Sequence, residues 1–117
     1  GDVYKRQAIN NGPTCHLEKY SCFGDEVFSF YKLETIINKR KKQIKDDSYT
    51  NYLLNKGNKE IAKKIAEEAN ELAISAVSND GRILEEAADL MYHLQVLLVA
   101  NKLTLNNLEK VLSKRNK

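Results

Sequence analysis

The sequence has no tryptophan, a single proline, five glycines, one methionine and two cysteines among its 117 residues. So little proline and glycine argues against a sandwich or barrel of short strands, which needs turn residues every few positions. Lys, Glu, Asn, Leu and Ile dominate instead, and they favour helices. Cys15 and Cys22, seven positions apart, suit neither a disulfide-rich scaffold nor a complete zinc site, although they can be part of one. No apolar run approaches the ~20 residues that span a bilayer. The longest strongly apolar stretch is Leu94–Ala100, and no charged-then-apolar leader opens the chain. The expectation is a soluble, cytoplasmic protein with no membrane partner. With 42% apolar residues, it can bury a modest core as one domain and needs no disulfide or metal to fold.

Net charge is also small, +3, but the two signs separate along the chain. Residues 32–64 hold ten basic side chains against four acidic ones, whereas residues 67–89 hold seven acidic side chains against Arg82 alone. A basic block beside an acidic block suits a metal–polyphosphate ligand, and two solvated helix faces give the same pattern.

Apolar periodicity predicts four to five helices. Val27, Phe28, Tyr31, Leu33, Ile36 and Ile37 recur at mostly helical spacing from Asp25 to about Gln43, with Asp25 and Glu26 suited to the N-terminus. Ser48 is placed to cap a short helix, Tyr49 to Asn55, that stops at Gly57. Asn58 is placed to cap a long helix reaching about Ser78, with a stripe of Ile61, Ile65, Leu72 and Ala76, before the turn signal Asn79-Asp80-Gly81. The next helix, Arg82 to about Asn101, is more apolar, with a stripe of Ile83, Ala87, Leu90, Leu94 and Leu97. A last helix runs from Thr104 to about Ser113. The predicted fold class is an all-α bundle preceded by a short irregular N-terminal segment. Its most apolar helix has more surface than its neighbours would cover, which predicts an obligate-type dimer.

The chemistry concentrates on the two long helices. Glu67-Glu68-x-x-Glu71 is followed, after fourteen intervening residues, by Glu86-x-x-Asp89. Each half is an i, i+3 carboxylate pair, and at about 100° per residue such pairs share one helix face. On antiparallel neighbours joined near Asn79–Gly81, the pairs converge and offer four hard oxygen ligands, as magnesium or manganese requires. Glu68 sharpens this reading. It falls on the seam Ile61, Ile65, Glu68, Leu72, where a leucine is expected, and a bound cation is a ready remedy for an inward carboxylate. The bland alternative is a solvated face on which Lys63 and Lys64 pair with these acids.

EExxE followed by ExxD across a helical hairpin resembles the signature of the all-α nucleoside-triphosphate pyrophosphatases. Ser48-Tyr49-Thr50, Leu53-Leu54-x-Lys56-Gly57, Lys63-Lys64-x-x-Glu67-Glu68-Ala69 and Glu86-Ala87-Ala88-Asp89-Leu90-x-Tyr92-His93-Leu94 narrow the likeness to phosphoribosyl-ATP pyrophosphatase, over nearly all of residues 27–115. Ala66 departs from the pattern, standing where glycine is expected. The resemblance implies magnesium-dependent hydrolysis of phosphoribosyl-ATP, with water attacking the α-phosphorus and no covalent intermediate; manganese is a possible substitute. It further implies that Glu68, Glu71, Glu86 and Asp89 hold the metal and that Glu67 and Glu68 serve catalysis, Glu67 either supporting the metal ligands from behind or orienting the water. Lys56, Lys64, Arg40, Tyr92 and His93 become substrate-binding candidates, and Arg115 sits where the family tends to place an arginine. Tyr92 and His93 read equally as packing residues on so apolar a helix. The Ser48-Tyr49-Thr50 hydroxyls read as a helix cap before they read as substrate contacts. A homodimer with active sites near its interface is implied as well.

Upstream, Asn11-Gly12-Pro13-Thr14-Cys15-His16 and Ser21-Cys22-Phe23 resemble the C-terminal end of phosphoribosyl-AMP cyclohydrolase, which catalyses the following step and is often fused to the pyrophosphatase. Residues 1–24 are thus expected to be a non-native start plus a cyclohydrolase remnant, and residues 25–117 the pyrophosphatase domain. Gly1–Gln7 resembles translated sequencing-adapter read-through. Cys15 and Cys22 would be part of an incomplete zinc site; zinc is expected only in the full-length cyclohydrolase domain, and no cyclohydrolase activity is expected here. Three other readings stay open: a house-cleaning pyrophosphatase for noncanonical nucleotides, a nucleic-acid binder using Lys39–Lys45, and a purely structural bundle. The basic run lacks interleaved aromatics and abuts Asp46 and Asp47, so no nucleic-acid partner is expected.

Overall fold

A computed structural model describes residues 27–43 and 48–115, and among these every regular element is an α-helix. The readings of Cys15, Cys22 and the rest of residues 1–26 lie outside the described residues. The helices are α1 (Phe30–Lys41), α2 (Tyr49–Lys56), α3 (Asn58–Ser78), α4 (Ile83–Ala100) and α5 (Leu105–Arg115). Helices α3 and α4 form the main hairpin, α1 and α2 pack across it, and α5 returns against α1. No helix among the described residues is long and apolar enough to cross a membrane.

Local chemistry sets the helix ends. Helix α1 begins at Phe30, not near Asp25, because the Ser29 hydroxyl accepts the Lys32 backbone N–H at 3.1 Å. Ser48 caps α2 as expected, accepting from Asn51 N at 3.1 Å. Asn58 does not cap α3; it is the first helical residue, and its amide pairs with that of Asn101 beyond the end of α4. Gly57 makes the corner instead. Its φ of 87° lies where only glycine sits without strain, and its N–H closes α2 on the Leu53 carbonyl. At the other end of α3, Asn79 adopts the left-handed conformation (φ 57°), and Asp80 Oδ1 accepts from Ser75 Oγ at 2.5 Å and from Arg82 N at 2.9 Å. The Ser75 hydroxyl, helped by that backbone N–H, holds the Asp80 carboxyl below the usual aspartate range. This turn fixes where α4 starts relative to α3, and so which acidic residues face one another.

The core joins Leu33 and Ile37 of α1, Leu53 of α2, Ile61 of α3 and Tyr92, Val96 and Val99 of α4. Two expected stripes are displaced. On α3 it is Ser75 rather than Ala76 that is buried, since its hydroxyl is satisfied by Asp80. On α4 the buried residues are Tyr92, His93, Gln95, Val96 and Val99, while Ile83, Ala87, Leu90, Leu94 and Leu97 lie at partly or openly exposed positions. Polar side chains tie the outer helices down. The buried Asn51 amide donates to the carbonyls of Arg40 and Gln43 at the end of α1, and the Glu34 carboxylate accepts from Leu105 N at the start of α5.

Candidate functional site

Glu68 and Glu71 lie three residues apart on α3, so their side chains share a face, and Glu86 stands on the facing side of α4. One carboxylate oxygen from each falls within 4.8 Å of the other two, the separation a single cation can bridge. Asp89, one turn beyond Glu86, is outside this triad but close enough for its charge to act strongly on Glu68. Glu67 points elsewhere. It is exposed and pairs with Lys64 at 3.6 Å.

Electrostatically the cluster is under tension. Burial, then the charges of Asp89, Glu71 and Glu86, push the Glu68 carboxyl from 4.5 up to about 7. Burial and the neighbouring Glu86 charge also raise Glu71 above the ordinary glutamate range. Glu68 Oε1 is buried and has no hydrogen-bond partner among the described residues. An orphaned carboxylate oxygen among like charges is costly, and a hard divalent cation both neutralises the cluster and occupies that oxygen. The donor set is all carboxylate, with neither thiolate nor imidazole, the hard-oxygen chemistry that suits magnesium or manganese.

The remaining expected site residues are spread over α1, α2, α3 and α4. Lys64 lies one turn before Glu68 on α3, with its ammonium directed at Glu67. Lys56 ends α2, its Nζ 5.9 Å from the centroid of the Tyr52 ring, and Arg40 is half-buried on α1. Tyr92 and His93 are both 4% exposed and are engaged by Tyr49 and Thr50 of α2, while Tyr92 also lines the apolar cavity between α1 and α4. Two contacts were not anticipated from sequence. Arg82 Nε approaches Glu86 Oε2 at 3.4 Å, an i, i+4 pair at the rim of the cluster. The Tyr49-Thr50 and Tyr92-His93 dipeptides face each other across α2 and α4; each lies within a family-like motif, and the presence of both motifs in one chain is the sequence signal for the contact.

Residues 30–116 match the model of a family described as "Phosphoribosyl-ATP pyrophosphohydrolase". A "Histidine biosynthesis bifunctional protein HisIE" of Staphylococcus epidermidis is 40% identical over 119 aligned positions, covering 98% of this chain and 56% of that protein. The protein of the same name from Bacillus subtilis is 40% identical over 116 positions, covering 91% and 56%. That of Buchnera aphidicola subsp. Schizaphis graminum is 44% identical over 108 positions, covering 89% and 52%. The chain spans about half the length of the curated relatives it matches. Likeness to the Staphylococcus protein extends ahead of residue 30, where the family region begins. With three-quarters of its length matched and its paired carboxylates converging across the α3–α4 hairpin, this chain belongs to the phosphoribosyl-ATP pyrophosphohydrolase family.

Proposed function

We propose that this domain hydrolyses phosphoribosyl-ATP to phosphoribosyl-AMP and pyrophosphate, the second step of histidine biosynthesis, in the cytoplasm and with magnesium, for which manganese can substitute. The observation that supports this most is the convergence of Glu68, Glu71 and Glu86 around a buried, unpartnered carboxylate oxygen in a chain of this family. Glu68, Glu71, Glu86 and Asp89 hold the cation. A divalent cation bound there supplies charge neutralisation for the triphosphate and lowers the pKa of water. Lys56, Lys64 and Arg40 offset charge on the phosphates as pyrophosphate leaves, and Glu67, which points away from the cluster while it pairs with Lys64, orients the water that attacks the α-phosphorus only after Lys64 has turned to a phosphate. Lys64 gives up little in turning from Glu67 to a phosphate, because an exposed ion pair is worth only ~0–1 kcal/mol. The catalytic load falls on positioning and electrostatics, and no residue forms a covalent intermediate.

Initial rates across a substrate panel test the assignment. The kcat/KM for phosphoribosyl-ATP should exceed that for each noncanonical deoxynucleotide by about 100-fold or more, the discrimination expected of a site that hydrogen-bonds a substrate group its competitors lack. Comparable values across the panel would refute the substrate and favour a house-cleaning pyrophosphatase.

The working form is proposed to be a homodimer, with no nucleic-acid partner. Phe28, Phe30, Leu84, Ala87, Ala88 and Met91 line an open, apolar cavity of about 530 Å³, and Leu84 at its edge is 82% exposed. An apolar face of this kind is what a second copy would cover. Light scattering should give twice the chain mass for the parent and the monomer mass for Leu84→Glu. A monomeric parent at micromolar concentration would contradict the dimer.

A further inference from the structure

Helix α2 is only eight residues long, and its first two residues meet two consecutive residues of α4. His93 Nδ1 lies 2.7 Å from the backbone carbonyl of Asp89. A carbonyl only accepts, so Nδ1 bears the hydrogen, Nε2 of the neutral imidazole accepts, and the Tyr49 hydroxyl 2.9 Å away donates to it. The hydroxyls of Thr50 and Tyr92 pair alongside. The Tyr49 ring stacks on Tyr92 at 6.3 Å and meets His93 edge-on at 5.7 Å. Leu53, fully buried, anchors α2 by contact that has no preferred direction; its orientation is set by directional bonds, the Asn51 amide to the end of α1 and, toward α4, the Thr50–Tyr92 pair and the hydroxyl–imidazole bond.

We infer that Tyr49 and His93 are positioning residues for pyrophosphate release: their bond locks α2, with Lys56 at its far end, in one register against the helix that bears Glu86 and Asp89. The inference rests on the function proposed above. Seven residues at 1.5 Å rise put Lys56 about 10 Å from Tyr49, so a tilt of roughly 10° displaces the lysine end by about 2 Å. About 1 Å of misplacement can cost a reaction about 100-fold. The carboxylate triad, which belongs wholly to α3 and α4, is untouched by such a tilt.

Three variants test this, each assayed well below its own unfolding midpoint. Tyr49→Phe keeps the ring and removes the donor. His93→Asn places its amide near Nδ1, keeping the Asp89 contact and losing Tyr49. His93→Gln places its amide oxygen near Nε2 and keeps the acceptor for Tyr49. Tyr49→Phe and His93→Asn should lower kcat about tenfold and weaken calorimetric binding of inorganic pyrophosphate in the presence of Mn²⁺, leaving Mn²⁺ affinity within about twofold of the parent. His93→Gln should recover most of the loss. Variants that only unfold at lower temperature, with parental kcat and pyrophosphate affinity, would overturn the inference. So would His93→Gln behaving like His93→Asn, or Mn²⁺ affinity falling in step with kcat. If the parent itself turns over no phosphoribosyl-ATP, the proposed function fails, and the pyrophosphate calorimetry still decides whether the clasp acts on a phosphate site.

Discussion

Replacing Glu68 with glutamine should lower pyrophosphate release by roughly 100-fold or more, the scale expected when a metal-holding charge is removed from a site that works by charge stabilisation. The same change should leave the metal-free fold intact and raise its thermal midpoint at pH 8, by about 2–4 °C. The reason is the cluster itself. Above pH 7 Glu68 is an ionised group half-buried among Asp89, Glu71 and Glu86, with one oxygen lacking a partner, so the native carboxylate destabilises the empty hairpin. An amide of the same shape removes the repulsion. Opposite signs for activity and stability distinguish a metal ligand from an ordinary structural residue, whose loss lowers both. A thermal scan and a pyrophosphate assay on one preparation settle the point, and a variant that retains activity within a few-fold of the parent would remove Glu68 from the metal set.

The second large effect is on pH. The folded chain holds the Glu68 proton with a pKa of about 7 against an ordinary 4.5, so the metal-free folded state binds a proton more tightly than the unfolded chain. Its contribution to stability is therefore fully present below about pH 4.5 and is lost as pH rises to about 7. Cation binding runs the other way, because the ligands must be deprotonated. Below pH 7 each cation bound should release about one proton from Glu68, and Mn²⁺ affinity should rise by up to about tenfold per pH unit until it flattens above 7. Glu71, raised for the same reasons, steepens the acid side. Calorimetry in buffers of different ionisation enthalpy reads the proton count directly. An affinity independent of pH between 5 and 7 would mean that the cation avoids this cluster.

The meeting of Glu68, Glu71 and Glu86 was legible because two sequence signals coincide there, while Asp89, the fourth expected ligand, lies outside the triad. An i, i+3 spacing fixes each pair on one face, and Asn79-Asp80-Gly81 fixes the antiparallel return that brings the faces together. The seam through Ile61, Ile65, Glu68 and Leu72 also placed Glu68 inward, as its buried oxygen attests. Other features were not legible, each for a physical reason. Helix α4 is apolar on nearly every side, so periodicity does not say which stripe meets α1 and α2 and which is left over; the structure chose Tyr92, Val96 and Val99. Asn58 has the chemistry of a cap, but the positive φ of Gly57 makes the corner one residue earlier and frees its amide for Asn101. Asp25 and Glu26 suit a helix start, yet Ser29 lies nearer the first inward residue, Leu33, and its hydroxyl takes the cap. Tyr92 and His93 follow the metal motif closely enough to suggest substrate contact. What sequence could not show is that α2 lies over them.

The most direct test of the whole account is product analysis with phosphoribosyl-ATP, the chain and magnesium, before and after chelation. The account predicts equimolar pyrophosphate and phosphoribosyl-AMP, release abolished by a chelator, and recovery when magnesium or manganese is restored in excess. Release of orthophosphate, turnover indifferent to the chelator, or no turnover by folded protein supplied with either metal would contradict it.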